Sequence, residues 1–576
     1  MGKWVVTSAW PYINTVPHLG NLVGSILSAD VFARFLRMMG HEVVFVSGSD
    51  EHGTPIEIEA IKKGISPKDL TDQAHEYVKK MWELWDISFD NYTRTETEIH
   101  KEFVQGIMKD IHDRGYFTVK PQIVPYCPKE GIYLPDRFVQ GICPFCGFEE
   151  ARGDQCDGCG RLLDPQDLID PRCVFCGTRP HFKKRDHWFF RLDLLENEII
   201  EWISKNEKLD QNVRSFTVSW IRSTGLTPRA VTRDNRWGIP APFPGASDKT
   251  IYVWFDALMG YVSATIEYFR NIGEPEKWRE FWINPHASTS YFIGKDNIPF
   301  HAVILPAMFM ASGRGYNLPT LISATEYLMY EGSKFTKRKR IGIWVDEALK
   351  IVDDVDYWRY ALIRMRPEDK DTNFKWSEFV RFVNNELNDH IGNYIHRVLT
   401  LIFKYFHGEV PEPEAFNDDD LEFASAIKNR WRRYVELMYK ARLKAASEHI
   451  VALAEEGNRY LNRRAPWKAV KENRGEAAAI LFNAFRCAAA LVYMLKPLTP
   501  RSSQRFAEIM GIKNVEFSDD EPPKIDSGIR ISKPSLVFRK LPKELVESML
   551  DEGKREKLLA QVKEEVSKGR PEFLRF

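Results

Sequence analysis

Apolar and polar positions follow two periods along this chain, and the changes of period mark its parts. "KWVVTSAW", residues 3–10, is short, β-branched and aromatic and is closed by Pro11, which predicts a buried strand. A loop with Asn14, Pro17 and Gly20 follows. "NLVGSILSADVFARFLRMMG", residues 21–40, then has helical apolar spacing and a glycine stop. "HEVVFVSGSDEHG", residues 41–53, is a second apolar strand running into a polar loop. Strand, helix and strand form a βαβ unit, which predicts an α/β domain on a parallel sheet. Ligands of such sheets lie beyond the carboxyl ends of the strands. Here those ends carry "AWPYINTVPHLGN" and "SGSDEHGTP".

Residues 117–230 break the pattern. They are rich in Cys, Gly and Pro and read as an insertion. Strand signals resume with "TIYVWFDALMGY" and "TSYFIGKDNIPFHAVILP". From about 375 the period is almost wholly helical, with "LEFASAIKNRWRRYVELMYKARLKAASEHIVALAEEGNRYL" as a long amphipathic stretch. "SDDEPPKIDSG" is a loop, and "ESMLDEGKREKLLAQVKEEVSKG" is a charged terminal helix. No internal repeat is visible. The parts expected are 1–116 and 231–325 as the two halves of a Rossmann-like domain, 117–230 as the insertion and 326–375 as a junction. Residues 376–545 form a helical bundle and 546–576 a helical tail.

Composition narrows the class. The chain has 576 residues, 44% hydrophobic and 28% charged, which suits a soluble multidomain protein with ample core. Basic and acidic residues number 81 each, so a polyanionic partner would have to meet local basic patches. No charged start precedes an apolar core, and no run approaches the ~20 apolar residues of a membrane span, so a cytoplasmic protein away from membranes is expected.

Seven of the eight cysteines fall between 127 and 176, which in a reducing compartment favours metal over disulfides. Cys487 stands alone and reads as a buried core thiol. "ICPFCGFEEARGDQCDGCGR" holds Cys143-x2-Cys146 and, nine residues on, Cys156-x2-Cys159. Two such knuckles supply the four sulfurs of a closed structural zinc site. A second set is incomplete: Cys173 and Cys176 face a segment where Cys127 is followed by Glu130. Three sulfurs and a carboxylate could bind zinc with weaker preference, or the set could stand empty.

"PHLGN" puts His18 and Asn21 at a helix start, where free N–H groups and partial positive charge suit phosphate. Gly20 leaves room for close approach of a base or phosphate, and His18 and Asn21 are placed to donate to phosphate oxygens. "EGSKFTKRKR", residues 331–340, is a basic loop that alone reads as a solvated surface run.

In this order, across an α/β domain split by zinc knuckles, the two segments resemble the signatures of the class I aminoacyl-tRNA synthetases. Those signatures are His-x-Gly-His, with Asn tolerated last, and Lys-Met-Ser-Lys-Ser. The second is written here as Lys334, Phe335, Thr336, Lys337 and Arg338. "AWPYINTVPHLGN", "GSDEHGTP", "YVWFDALMGY", "YFIGKDNIPFH", "ATEYLMYEGSKFTK" and "RAPW" further resemble the methionyl-tRNA synthetase branch of archaeal and eukaryotic style. These blocks span residues 9 to about 470.

The resemblance implies activation of L-methionine with ATP and magnesium, then transfer to tRNA(Met), by a monomer. It assigns the amino-acid ammonium to Asp50 and the side-chain pocket to Trp10, Tyr12, Trp254, Ala257, Tyr261, His301 and Leu305. ATP falls to His18, Gly20, Asn21, Gly294, Lys295, Asp296, Lys334 and Lys337, with His18, Asn21, Lys334 and Lys337 stabilising the reacting phosphates. Arg233 would also face the adenylate. The helical bundle would read the anticodon through Asn393, Arg397 and Trp467, near a basic segment containing Arg430, Arg432, Arg433, Lys440, Arg442, Lys444, Arg463 and Arg464. Leu258, Asn297 and Arg338-Lys339-Arg340 depart from the family pattern. Relatives usually write Ser-Arg-Gly from position 338, so a stiffer loop is expected here. The alternatives are another class I synthetase, for which the insertion is short, or a non-catalytic synthetase-like tRNA-binding protein.

Overall fold

The computed structural model describes residues 2–575 except 154–155, 157, 160–162, 337–339 and 514–515, together with the side chain of residue 137. Lys337, Arg338 and Lys339 therefore lie outside the described residues.

Five parallel strands form the main sheet, in the order Leu321–Thr325, Ser288–Gly294, Lys3–Ser8, Glu42–Ser49, Asn91–Arg94. Such a sheet is covered on both faces, and alternate residues of each strand feed different cores. Val6, Phe45 and Phe292 face the helix Leu19–Met38 and join a core that continues into the helical bundle. Val5, Val44, Val46, Tyr291 and Ile293 face the opposite way, onto the helices Glu98–Asp113, Gly260–Asn271 and Leu305–Ser312.

The 117–230 stretch leaves the sheet as a long antiparallel pair, Phe117–Cys127 with His181–Phe190. At its far end, three short strands, Val139–Ile142, Ala151–Arg152 and Ile169–Cys173, carry the cysteine turns. A small cluster of Leu134, Val139, Ala151, Leu163 and Leu168 is their core.

The amphipathic stretch 421–461 is two helices, Asp418–Tyr439 and Leu443–Arg464. The break falls at Ala441, which adopts φ 53°. Nothing in the local sequence marks it, because alanine is a strong helix former. The helices Leu19–Met38 and Arg474–Leu495 are long and apolar enough to cross a membrane by length and composition. However, 83% and 89% of their most apolar windows are buried inside the protein, as in core helices.

The parts meet at one buried guanidinium. Arg359 donates through Nη2 to Asp30 Oδ2 at 2.6 Å and to the Pro497 carbonyl at 3.1 Å. Nη1 reaches the Trp85 and Asp86 carbonyls, and Nε the Leu498 carbonyl at 3.0 Å. Both members of the pair are fully buried. Burial alone would raise the Asp30 pKa, but Arg34 and Arg359 hold it at about 2, against 3.8 normally. The tail closes similarly: Arg570 reaches both oxygens of Asp346 at 2.7 Å and Glu347 at 3.1 Å.

Breaking a buried pair by removing one partner costs about 3–5 kcal/mol. Arg359→Met should therefore lower the thermal unfolding temperature markedly. Asp30 is depressed, so its contribution is present above pH 3.8 and is lost as pH falls toward about 2. The deficit of the variant should be largest at neutral pH and should shrink across that acid window in calorimetric scans.

Candidate active site

A cavity of about 570 Å³ opens beyond the carboxyl ends of the two central strands. Ala9, Trp10 and Tyr12 follow the strand Lys3–Ser8; Asp50 and Gly53 follow Glu42–Ser49. The opposite wall comes from the insertion, with Gln122, Val124, Tyr133, Pro135, Phe138 and His187.

Asp50 lies in the floor and is 8% exposed. Its backbone is fixed by a bond to the Pro11 carbonyl at 3.0 Å, yet Oδ1 has no hydrogen-bond partner. Burial, and then the nearby charge of Asp256, push its pKa well above the ordinary carboxylate value. Asp256 is itself compensated. Its two oxygens meet His52 Nδ1 at 2.5 Å and His100 Nε2 at 2.6 Å. His52 Nε2 meets Glu96 at 2.8 Å, and Glu96 takes Lys101 at 2.6 Å. Burial opposes charge on His52, but Asp256 and Glu96 raise its pKa to about 10. Asp50 is thus a carboxyl beside a paired network and outside it, and it offers a place to a ligand cation.

The deeper end of the cavity is aromatic. Trp10 meets Tyr261 edge-on at 6.4 Å, and Trp254 stacks on Phe300 at 3.8 Å. The Trp10 indole is wedged between two bare backbone positions: a Cβ on Gly48 would come within 2.7 Å of it, and one on Gly260 within 2.5 Å. His301 Nδ1 meets the Asn297 carbonyl at 3.0 Å, so Nδ1 carries the proton and Nε2 accepts from the Tyr261 hydroxyl at 2.7 Å. Burial lowers the His301 pKa to about 4, which keeps the ring neutral. Ala257, Leu258 and Asn297 line this end as well. Leu305 does not: it is fully buried in the core one helical turn beyond His301.

The two signature segments touch. His18 Nδ1 accepts from the backbone N–H groups of Gly20 at 3.1 Å and Asn21 at 3.3 Å, and Asn21 Oδ1 accepts from the His18 N–H at 3.2 Å. With Nδ1 accepting, Nε2 is the protonated nitrogen, and burial lowers the His18 pKa to about 4. Phe335 of the basic loop stacks on the His18 ring at 4.4 Å with planes 10° apart. Backbone bonds from Leu19 to Ile343 and from Val345 to Pro17 tie the segments together.

Gly294 ends the strand Ser288–Gly294, outside the residues that line the cavity, and Lys295 after it pairs with Glu326 at 2.5 Å and Asp371 at 3.1 Å. The Tyr327 hydroxyl donates to Asp296 at 2.6 Å, and its ring lies under Lys295 at 4.1 Å and Lys334 at 5.3 Å. Arg233 covers the Tyr252 ring at 3.8 Å and lines the cavity.

Cys143, Cys146, Cys156 and Cys159 bring their sulfurs within 4.8 Å of one another, a set of four soft donors that could hold a metal ion. The second set is corrected by the geometry. Cys127, Cys173 and Cys176 converge, whereas the exposed Glu130 carboxylate stays outside the cluster.

Asn393 is exposed at the start of the helix Asn393–Tyr405. One turn on, Arg397 lies over the Trp467 ring at 4.8 Å and donates to Asn462 at 2.9 Å. Much of the nearby basic segment is paired with acids: Arg430 with Glu456, Arg432 with Asp520, Arg442 with Asp369 and Arg464 with Asp420.

Sequence reasoning missed the His52–Asp256–His100 network and the insertion wall. The signal for the first was present, since Asp256 is a lone carboxylate in the apolar run "YVWFDALMGY" and so requires a buried partner.

The family model described as "tRNA synthetases class I (M)" matches residues 4–399, which defines the class as class I tRNA synthetase. The model "Anticodon binding domain of methionyl tRNA ligase" matches residues 410–552. Methionine–tRNA ligases of Sulfurisphaera tokodaii and Sulfolobus acidocaldarius are each 53% identical, over 100% of this chain and 100% of theirs. A Mycobacterium tuberculosis methionyl-tRNA synthetase crystallised with methionyl-adenylate superposes with a TM-score of 0.75 at 24% identity. The match covers 94% of this chain and 100% of that one and shows a common fold. The chain belongs to the methionine–tRNA ligase family of class I synthetases.

Mass-spectrometric metal analysis of purified protein should return at least one ion per chain. Cys143→Ser should remove that ion, because a tetrahedral site loses closure with one sulfur.

Proposed function

We propose that this chain is a methionine–tRNA ligase. It activates L-methionine with ATP, releasing pyrophosphate, and transfers the methionyl group to the terminal adenosine of tRNA(Met). The observation that carries this reading is the pairing of Asp50 Oδ1, buried and without a partner, with an aromatic chamber beyond it. An α-amino acid with an unbranched apolar side chain satisfies both ends. Its ammonium supplies the cation Asp50 lacks, and its thioether lies against Trp10, Tyr12, Trp254, Ala257, Tyr261 and His301.

The protein does little covalent chemistry in this reaction. The methionine carboxylate attacks the α-phosphorus in line, and pyrophosphate leaves. Rate comes from positioning and from donors aimed at the growing phosphate charge. His18, neutral and protonated at Nε2, serves as such a donor with Asn21 at the helix start, while Gly20 leaves the approach open. Gly294, Lys295 and Asp296 receive the nucleoside, with Asp296 taking ribose hydroxyls in place of Tyr327. Lys334 and Lys337 neutralise the outer phosphates, and magnesium carried in with ATP would add to that neutralisation. Arg233 faces the adenylate. A tRNA hydroxyl then attacks the adenylate carbonyl and AMP leaves.

The bundle is assigned to the anticodon, with bases held at Asn393, Arg397 and Trp467 by stacking and edge hydrogen bonds. Zinc is the ion assigned to the first knuckle set. A cytoplasmic monomer is the working form, with parts divided at residues 116, 230, 325, 375 and 545.

ATP–pyrophosphate exchange across the amino acids tests the reading: exchange should depend on methionine, and exchange with leucine, isoleucine, valine or cysteine instead would point to another class I enzyme. Folded protein without any exchange would leave the tRNA-binding alternative. Asp50→Ala should abolish the exchange. Gly260→Ala should push the Trp10 indole into the chamber, raising KM for methionine while kcat falls little.

A further inference from the structure

The two cysteine sets are built on the same turn, which allows a comparison within one chain. In the complete set, the Gly147 N–H donates to the Cys143 carbonyl at 3.0 Å and Gly147 adopts φ 74°. In the incomplete set, Gly177 donates to Cys173 at 2.8 Å with φ 70°, and Gly131 donates to Cys127 at 2.9 Å with φ 66°. The turn beginning at Cys127 has therefore kept its full backbone geometry. Glu130 occupies the position in it that Cys146 and Cys176 occupy in theirs, three residues after the first cysteine. Its own N–H donates to Cys127 Sγ at 3.5 Å, as expected of a turn that wraps around a metal-bound sulfur.

Only the side chain differs. A cysteine sulfur is one bond from Cβ, while a glutamate oxygen is two bonds further out. On a turn shaped for the short reach, the carboxylate overshoots the centre. Accordingly, Cys127, Cys173 and Cys176 hold their sulfurs within 4.8 Å of one another, with Cys127 and Cys176 3.4 Å apart, and the Glu130 carboxylate is outside the set. Cys127 and Cys173 are buried and Cys176 is half-buried, while Glu130, at the fourth position of the set, is exposed to solvent.

We propose that this second knuckle binds a thiophilic divalent ion, zinc, on three thiolates, with its fourth position held by an exchangeable solvent ligand. Binding displaces one proton from each of the three thiols to solvent. The complete set encloses its ion with four protein sulfurs. The second set leaves one coordination position through which a competing ligand can enter, so its ion is the labile one. The small apolar core of the insertion gives the module reason to keep both ions.

The test uses the full-length chain loaded with zinc, counting ions by mass spectrometry and following transfer to a chromogenic pyridylazo chelator. Wild type should carry two ions, one released faster than the other by roughly ten- to a hundred-fold. Glu130→Gln should keep both ions and the fast phase. Glu130→Cys should keep both and slow the fast phase to the rate of the other ion. Cys173→Ser should carry one ion and lose the fast phase. A single ion in wild type would overturn the proposal, as would loss of the second ion in Glu130→Gln, which would make the carboxylate a ligand. A fast phase surviving in Cys173→Ser would mark it as surface-bound metal, and two slow ions in wild type would show a closed site. Because Glu130→Cys removes no sulfur, it stays informative if Cys173→Ser fails to fold.

Discussion

One guanidinium holds the two ends of this molecule in a fixed relation. Arg359 places all of its nitrogens against acceptors that come from three distant stretches: Asp30, the Trp85–Asp86 turn and the Pro497–Leu498 turn. A buried charge is expensive, and it persists only where geometry and hydrogen bonding repay the desolvation. The planar fork of arginine suits this role, whereas a lysine would reach one acceptor group at a time. Asp30 sits in the helix whose first turn carries His18 and Asn21. Pro497 and Leu498 close the long helix Arg474–Leu495 of the bundle. The loop end of the parallel sheet and the helical bundle are thus referenced to the same charge. Apolar packing could give adhesion there, but it would tolerate sliding; five directed bonds do not.

The cavity uses the opposite strategy for its own charge. Asp256 is neutralised by His52 and His100, and Glu51 is engaged by Arg94 at 2.7 Å. Among the described residues Asp50 Oδ1, by contrast, has no hydrogen-bond partner. Burial raises the Asp50 pKa, so an approaching ammonium both restores its charge and pairs with it. Preorganisation here means that neighbouring groups are already satisfied, so only the ligand can complete the site. The neutral His301 and Tyr261 pair does the same at the apolar end: its donor and acceptor are used on each other, which leaves an apolar surface there.

How much of this was legible in the sequence follows from how far each contact reaches along the chain. The parallel sheet, the loops at its carboxyl ends and the four-sulfur set depend on periodicity and local spacing, and they were readable. The His52–Asp256 bond spans 204 residues and the Arg359–Asp30 bond 329, so no local pattern carries them. Leu305 was assigned to the pocket by motif position, but the turn of helix between it and His301 points it into the core. The break at Ala441 was invisible because tertiary packing overrides alanine's helical preference there. The basic segment expected near the anticodon residues is charge-paired instead, because acids distant in sequence meet Arg430, Arg432 and Arg442.

The basic loop shows how a departure from a family pattern is absorbed. The family signature implies a glycine at position 340, and Arg340 here adopts φ 52°, the left-handed region that glycine enters freely. A non-glycine residue held there costs of order 1–3 kcal/mol, which the surroundings must offset. Two features do so. Lys563 of the terminal helix donates to the Arg340 carbonyl at 2.8 Å. Gly342 takes φ 125° and passes under Phe335, whose ring would lie 2.2 Å from any Cβ there. That close passage lets Phe335 lie flat on His18. The loop's contact with the helix start thus depends on Gly342. The strain at Arg340 is carried by the terminal helix, which Arg570 anchors to Asp346 and Glu347. The basic loop is in this way stabilised by the helix Glu552–Gly569, more than two hundred residues beyond it.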